Sequence, residues 1–135
     1  DSLVSSSNYM YALRVTGRFA WASARTVTKQ DRPYRPMVEA TDGEEIARHE
    51  DFSGTIAGFR TPLYESGISV AGCHAHIIND DRTWGGHLVD FVLEEGEAEL
   101  CLGTDFRMRL PLTEEFRTAD LSEDKTEDIR RVEHH

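Results

Sequence analysis

Three histidines have the spacing of a metal site. His74 and His76 are two residues apart in an apolar stretch. On a β-strand, this spacing puts both imidazoles on one face, with Cα atoms about 7 Å apart. His87 follows a polar turn and opens the next predicted strand, so a hairpin brings it beside the pair. Three neutral imidazoles with an open fourth position are the usual ligands of a catalytic zinc ion, and other divalent metals also bind them.

The alternative is that these histidines are ordinary core residues held by hydrogen bonds. Burying three imidazoles on one apolar face without a shared ligand is costly, so the spacing favours a metal site. Cys73 is the nearest thiol, but strand alternation points it to the opposite face. We therefore expect no metal role for Cys73.

Two other side chains could act on an anionic substrate. Arg25 shares a predicted strand face with Phe19 and Trp21. An inward arginine needs an anionic partner, which is either a structural carboxylate or the carboxylate of a substrate. The residues alone favour the structural partner. Glu133 lies beside the C-terminus, where a solvated or tag-derived residue is the simpler interpretation, and spacing does not select it.

The elements that must position these residues are mainly strands. The pattern predicts a mainly β domain, an antiparallel sandwich or a small barrel, with short C-terminal helical turns. Gly17 and Gly96 are expected to break the chain between strands. The 68–78 strand reads as buried on both faces. The predicted strands cover 9–15, 18–27, 54–60, 68–78, 87–94 and 105–110, the long connection covers 29–52, and the helical turns cover 113–119 and 124–132.

Composition sets further limits. The chain has 135 residues, which suits a single domain over 1–135, and its net charge of -10 argues against nucleic-acid binding. No apolar run approaches the roughly 20 residues of a membrane helix, so no membrane partner is expected. Two cysteines mildly favour a reducing compartment. The terminal pair, His134 and His135, resembles part of a purification tag, and Asp1 in place of a start methionine suggests a processed or cut chain.

Several ordered motifs resemble the C-terminal half of acetolactate decarboxylases. The 54–62 stretch resembles their Gly-Thr-Ile-Val-Gly-Phe-x-Thr-Pro segment, and 67–76 resembles their histidine-bearing strand. The 81–87 stretch resembles their Asp-Arg-x-x-Gly-Gly-His turn. Further matching stretches lie at 11–15, 24–27, 33–39 and 109–111, so that the resemblance spans residues 8–133. Cys73 and Ala75 depart from the family's tyrosine and larger apolar residue, at positions expected to face away from the histidines.

The resemblance implies a carboxy-lyase that decarboxylates 2-acetolactate, a small anionic 2-hydroxy-3-keto acid, to acetoin. It implies zinc bound by His74, His76 and His87, and catalytic roles for Arg25 and Glu133. The zinc would act as a Lewis acid that stabilises the enediolate formed as CO2 leaves. Other three-histidine zinc enzymes are a weaker alternative, because no further motif of theirs matches.

The same resemblance concerns the rest of the protein. It implies that the chain corresponds to the C-terminal metal-binding half of the family, and that an N-terminal half with another active-site glutamate lies outside it. A metal-binding β-domain with no activity alone is therefore the alternative function. The resemblance also implies a homodimer and a cytoplasmic location, with a secreted form as the alternative.

Overall fold

Four antiparallel strands carry most of the structure. The computed structural model describes residues 3–26, 31–36, 45–122 and 124–133. The strands are followed by two short helices, and no helix within the described ranges is long and apolar enough to cross a membrane. The elements are β1 (Met10–Thr26), β2 (Glu45–Thr61), a 3-10 turn (Leu63–Glu65), β3 (Gly72–Asn79), β4 (Gly85–Gly103), α1 (Glu114–Thr118) and α2 (Thr126–Glu133).

The four strands form one sheet that closes on itself. β1 pairs with both β2 and β4, β2 pairs with β3, and β3 pairs with β4, all antiparallel. β1 and β4 have 17 and 19 residues, and strands of this length twist and bend. The predicted antiparallel β domain and both C-terminal helical turns are confirmed.

Two predicted strand breaks are wrong. β1 runs through Gly17 and β4 runs through Gly96 without a turn. Gly17 pairs with Gly54 on β2 and with Gly96 on β4, so three glycines form a row across adjacent strands. A Cβ atom on Gly17 would lie 2.1 Å from the carbonyl oxygen of Glu95. These glycines therefore mark a close approach of backbones inside long strands, rather than the ends of strands.

Other predicted boundaries also differ from the structure. Residues 45–52, which the sequence assigned to a polar connection, form the first half of β2 because they pair with β1 in continuous register. The third strand begins at Gly72 rather than Ile68. The strand predicted at 105–110 has no regular secondary structure and finds no partner strand. Val27 and residues 37–44 lie outside the described residues.

The side chains of β1 do not alternate regularly between the core and the outer face. Register shifts near Phe19 mark β-bulges in the pairing of β1 with β4, and each bulge changes which side chains face inward. Phe19 and Ala24 therefore share the core, and Arg25, next to Ala24, faces the other way. The prediction that Arg25 lies on the face of Phe19 is wrong for this reason. The buried core consists of Phe19, Ala22, Ala24, Ile56, Ala75 and Ile77.

Replacing Gly17 by alanine should destabilise the fold, because the new methyl group meets backbone atoms that cannot move aside. We expect the free energy of unfolding to fall by about 2 kcal/mol, in the range of overpacking effects. Urea denaturation measures the change. Gly67→Ala is the matched control, since no atom lies within 4 Å of its added Cβ. An equal effect in both variants would contradict the assigned close packing.

Candidate metal centre

Three imidazoles converge at one point of the described surface. The side-chain nitrogens of His74, His76 and His87 include one set that lies within 4.8 Å of one another. The Nε2 atoms of His74 and His76 are 3.2 Å apart. The His87 ring stands roughly perpendicular to the other two, with centroids 5.0 Å from His74 and 5.5 Å from His76. The grouping predicted from spacing is thus present.

Strand register produces this grouping. His76 on β3 lies directly opposite His87 on β4, and His87 lies directly opposite Arg25 on β1. Opposite residues of an antiparallel pair have Cβ atoms about 5 Å apart on the same face of the sheet. Arg25, His87 and His76 therefore form a row across three strands, and His74 adds a fourth group two residues along β3.

The histidines lie on the outer face of the closed sheet. Ala75 and Ile77, which alternate with them on β3, point into the core, as does Leu88 beside His87. His76 itself is exposed. The prediction that the strand is buried on both faces is therefore wrong. This face is covered by α2 and not by a second sheet layer, and the helix partly shields the histidines.

A buried asparagine fixes the turn before His87. The Asn79 carboxamide oxygen accepts hydrogen bonds from the backbone N–H groups of Thr83 and Trp84, and its Nδ2 donates to the Thr83 hydroxyl. Asn79 is buried, so these bonds are shielded from water. The sequence predicts a polar turn that begins at Asn79, a known turn-forming residue, but it does not assign these side-chain hydrogen bonds.

Arg25 and Glu133 meet at the histidine cluster. The Arg25 guanidinium donates a hydrogen bond to the backbone carbonyl of Val132, near the end of α2. One residue further on, the Glu133 Oε2 atom lies 3.4 Å from His74 Nδ1 and 3.5 Å from His87 Nδ1. Glu133 is well shielded, with a side chain 16% exposed. The C-terminal glutamate that spacing could not select is thus placed at the site by tertiary packing.

Burial and neighbouring charge keep two of the imidazoles neutral. Desolvation lowers the pKa of His76 from its ordinary value of 6.5, and His74 lowers it further while Glu133 opposes the shift. Desolvation also lowers the pKa of His87, with a second contribution from Arg25, again opposed by Glu133. Both rings are therefore neutral at pH 7, which is the protonation state that binds a metal.

The geometry fits a metal ion. Two nitrogens bound to one tetrahedral zinc at about 2.0–2.1 Å are about 3.3 Å apart, close to the 3.2 Å between His74 and His76. Nitrogen ligands suit zinc and several other divalent ions, so the donor set does not choose the metal. The described residues in this group are all histidines, and Cys73 is not among them. Strand alternation puts the Cys73 side chain on the opposite face of β3, and the expectation that it has no metal role stays a prediction.

A separate cavity of about 730 Å³ lies alongside the first turns of α2. Arg60, Thr61, Tyr64 and Ile129 are among its lining residues, and none of the three histidines lines it. The histidine cluster is thus a partly covered surface site, separate from this cavity.

This fold and site define an antiparallel β domain with a three-histidine cluster. Several known proteins are similar to this chain in sequence and fold. The alpha-acetolactate decarboxylase family model matches residues 1–123. The alpha-acetolactate decarboxylase of Methanosarcina mazei is 38% identical over 133 residues, covering 98% of this chain and 46% of that protein. The one from Bacillus subtilis is 40% identical over 134 residues, covering 98% of this chain and 52% of that protein.

Solved structures of related proteins are also similar to this chain. The crystal structure of alpha-acetolactate decarboxylase from Bacillus subtilis strain 168 superposes with a TM-score of 0.89, covering 98% of this chain and 57% of that one at 40% identity. A Staphylococcus aureus protein of unknown function, similar to alpha-acetolactate decarboxylase, gives 0.90 at 29% identity. The chain belongs to the alpha-acetolactate decarboxylase family. It spans about half the length of the curated relatives it matches.

Replacing one histidine should abolish specific metal binding. We expect His76→Ala to lower zinc affinity more than about 100-fold. Residues that only hydrogen-bond a metal ligand already contribute about 10–100-fold to metal affinity, and the loss of a ligand should cost more. Isothermal titration with zinc measures the change. The terminal histidines are present in the wild type and in every variant, so zinc bound by them does not affect the comparison. His49→Gln is the control, since His49 stacks on Trp84 outside the cluster. Equal zinc affinity in wild type and His76→Ala would rule out this site.

The metal-free protein should lose stability in mild acid. The folded-state pKa of His76 and His87 lies below the 6.5 of an unfolded chain. Between the two pKa values the unfolded chain binds more protons, so the free energy of unfolding falls as pH drops below 6.5. Urea denaturation in chelator at pH 7.5 and 5.5 measures the loss. His87→Gln should lose less than wild type; an identical loss would contradict the assignment.

Proposed function

We propose that this chain carries the metal-binding half of an active site that decarboxylates 2-acetolactate to acetoin. The observation that carries the proposal is the convergence of three imidazoles with Arg25 and Glu133 in a member of the alpha-acetolactate decarboxylase family. His74, His76 and His87 would hold the metal, with zinc as the first candidate. A bound divalent cation would supply a Lewis acid for the negative charge that develops on the substrate oxygens.

The chain's own residues would handle the substrate and the proton. 2-Acetolactate is an anion, and a nearly buried Arg25 beside His87 gives the site a fixed positive charge that would orient its carboxylate. The carbon–carbon bond to the carboxylate breaks, CO2 leaves, and the electron pair stays with the remaining carbon skeleton. One proton must then replace the carboxylate on carbon. Among the described residues, Glu133 has the carboxyl group closest to the imidazoles, and it could deliver this proton from one side.

A second candidate function is metal binding without turnover by this chain alone. The chain spans about half the length of its curated relatives, and apolar side chains on β4 are exposed to water. These side chains are Val89, Phe91, Val92, Leu100 and Leu102, which are 36–49% exposed. Exposed apolar side chains of this kind are typical of a surface that normally contacts further protein. The homodimer and the cytoplasmic location stay predictions.

One assay separates the two functions. The purified chain is given zinc and racemic 2-acetolactate, and acetoin is analysed on a chiral column. Because β-keto acids lose CO2 without a catalyst, the diagnostic result is an excess of one acetoin enantiomer rather than acetoin itself. We expect that excess from the wild type and its loss in Arg25→Ala and in His76→Ala.

Two controls make the result decisive. Circular dichroism must show both variants folded, and bound zinc must be measured in each. Racemic acetoin at the uncatalysed rate from a folded, zinc-loaded wild type would favour the metal-binding domain. An undiminished enantiomeric excess from His76→Ala would remove the histidine centre from the reaction.

A further inference from the structure

Arg25 occupies an unusual position for a charged residue. Arg25 is buried, with 4% of its surface exposed, and it is the only charged residue buried among those that the structure describes. Burying a guanidinium is costly unless strong hydrogen bonds compensate. Its hydrogen bond to the carbonyl of Val132 is such a compensation, and Val132 is the buried residue of α2. The arginine thus lies beneath the last turn of the helix.

This contact has the features of a helix cap. The last carbonyl groups of a helix have no partner within it, and the C-terminal end carries partial negative charge. A cation that donates to one of these carbonyls satisfies the acceptor and complements the charge. α2 has eight residues, too few for a stable isolated helix. Its position therefore depends on how it is attached to the sheet.

The attachment point is next to the functional carboxylate. Glu133 directly follows Val132, and its Oε2 atom contacts His74 and His87 at 3.4 and 3.5 Å. Because Arg25 is paired with His87 across β1 and β4, the same two strands carry the anchor and one histidine. A shift of α2 away from Arg25 would remove Glu133 from the imidazoles.

We infer that Arg25 is a positioning residue, whose hydrogen bond to Val132 fastens α2 to the sheet and so places Glu133 against His74 and His87. This inference deepens the proposed function, and rests on it only for the claim that Glu133 serves the reaction. Arg25 would then couple two tasks, since the group that orients the anionic substrate also fixes the helix that carries the proton-handling carboxylate.

If Arg25 acted only as a positive charge, its removal would change the metal affinity in the opposite direction. Removing a nearby cation should strengthen the binding of a second cation. Losing the anchor should instead weaken it, because Glu133 leaves the Nδ1 atoms of two ligands, and such outer contacts contribute about 10–100-fold to affinity. The sign of the change therefore distinguishes the two roles.

Hydrogen–deuterium exchange on the metal-free full chain tests the anchor without substrate or turnover. Arg25→Met keeps much of the side-chain volume and removes every donor. We expect the α2 amides to exchange at least about 10-fold faster, the scale of one charge-assisted hydrogen bond. Amides of β2 and β3 should keep their protection, which shows that the sheet stays folded. Arg25→Lys should restore part of the α2 protection, because an ammonium group can also donate to a carbonyl.

The control is Arg130→Ala, which removes the same charge from an exposed position on α2, where Arg130 pairs with Glu127. It should leave α2 exchange within about twofold of wild type. Unchanged α2 exchange in Arg25→Met, with the sheet protected, would overturn the inference.

Zinc titration supplies the second measurement. We expect Arg25→Met and Glu133→Gln each to weaken zinc binding about 10-fold, and the double variant to be no weaker than Glu133→Gln alone. Tighter zinc binding in Arg25→Met would overturn the anchor in favour of a pure charge effect. Neither experiment measures acetoin, so a chain that is inactive alone leaves both results interpretable.

Discussion

The direct pairing of His76 with His87 is the constraint on which the site depends. β3 and β4 are joined at three paired positions, Ile78 with Gly85, Ile77 with Gly86 and His76 with His87. A slip by one residue would turn every side chain of one strand to the opposite face and separate the imidazoles. The hydrogen bonds of Asn79 fix the turn that sets this register, so a residue outside the histidine cluster determines where the three imidazoles meet.

β1 connects this hairpin to the rest of the molecule. It pairs along its length with β2 on one side and β4 on the other, and its bulges turn the strand so that Phe19 and Ala24 fill the core while Arg25 faces outward. At Gly86, a Cβ atom would lie 2.6 Å from the Arg25 carbonyl, so glycine is what allows β4 to approach β1 beside the site. The core and the site thus occupy opposite faces of the same strands.

The outer face gains its shielding from a short C-terminal helix. α2 contributes a buried valine, a carbonyl that accepts from Arg25, and a carboxylate between two imidazoles. Val132, Arg25 and Glu133 are not members of the buried core cluster of the described residues, so the helix and the core are distinct parts of the structure. Such a division would suit the proposed site, in which the histidines must be rigid and the covering group must admit a substrate.

The sequence alone determined which residues form the histidine cluster and which family the chain belongs to. Alternation placed His74 and His76 on one face, the polar turn brought His87 back to them, and the ordered motifs identified the family that the comparisons confirm. Tertiary structure decided the rest. Bulges in β1 change side-chain parity without a sequence signal, so the outward face of Arg25 was missed. Only packing of α2 on the sheet brings Glu133 to the histidines, because residues so far apart in sequence meet through contacts that no local pattern encodes.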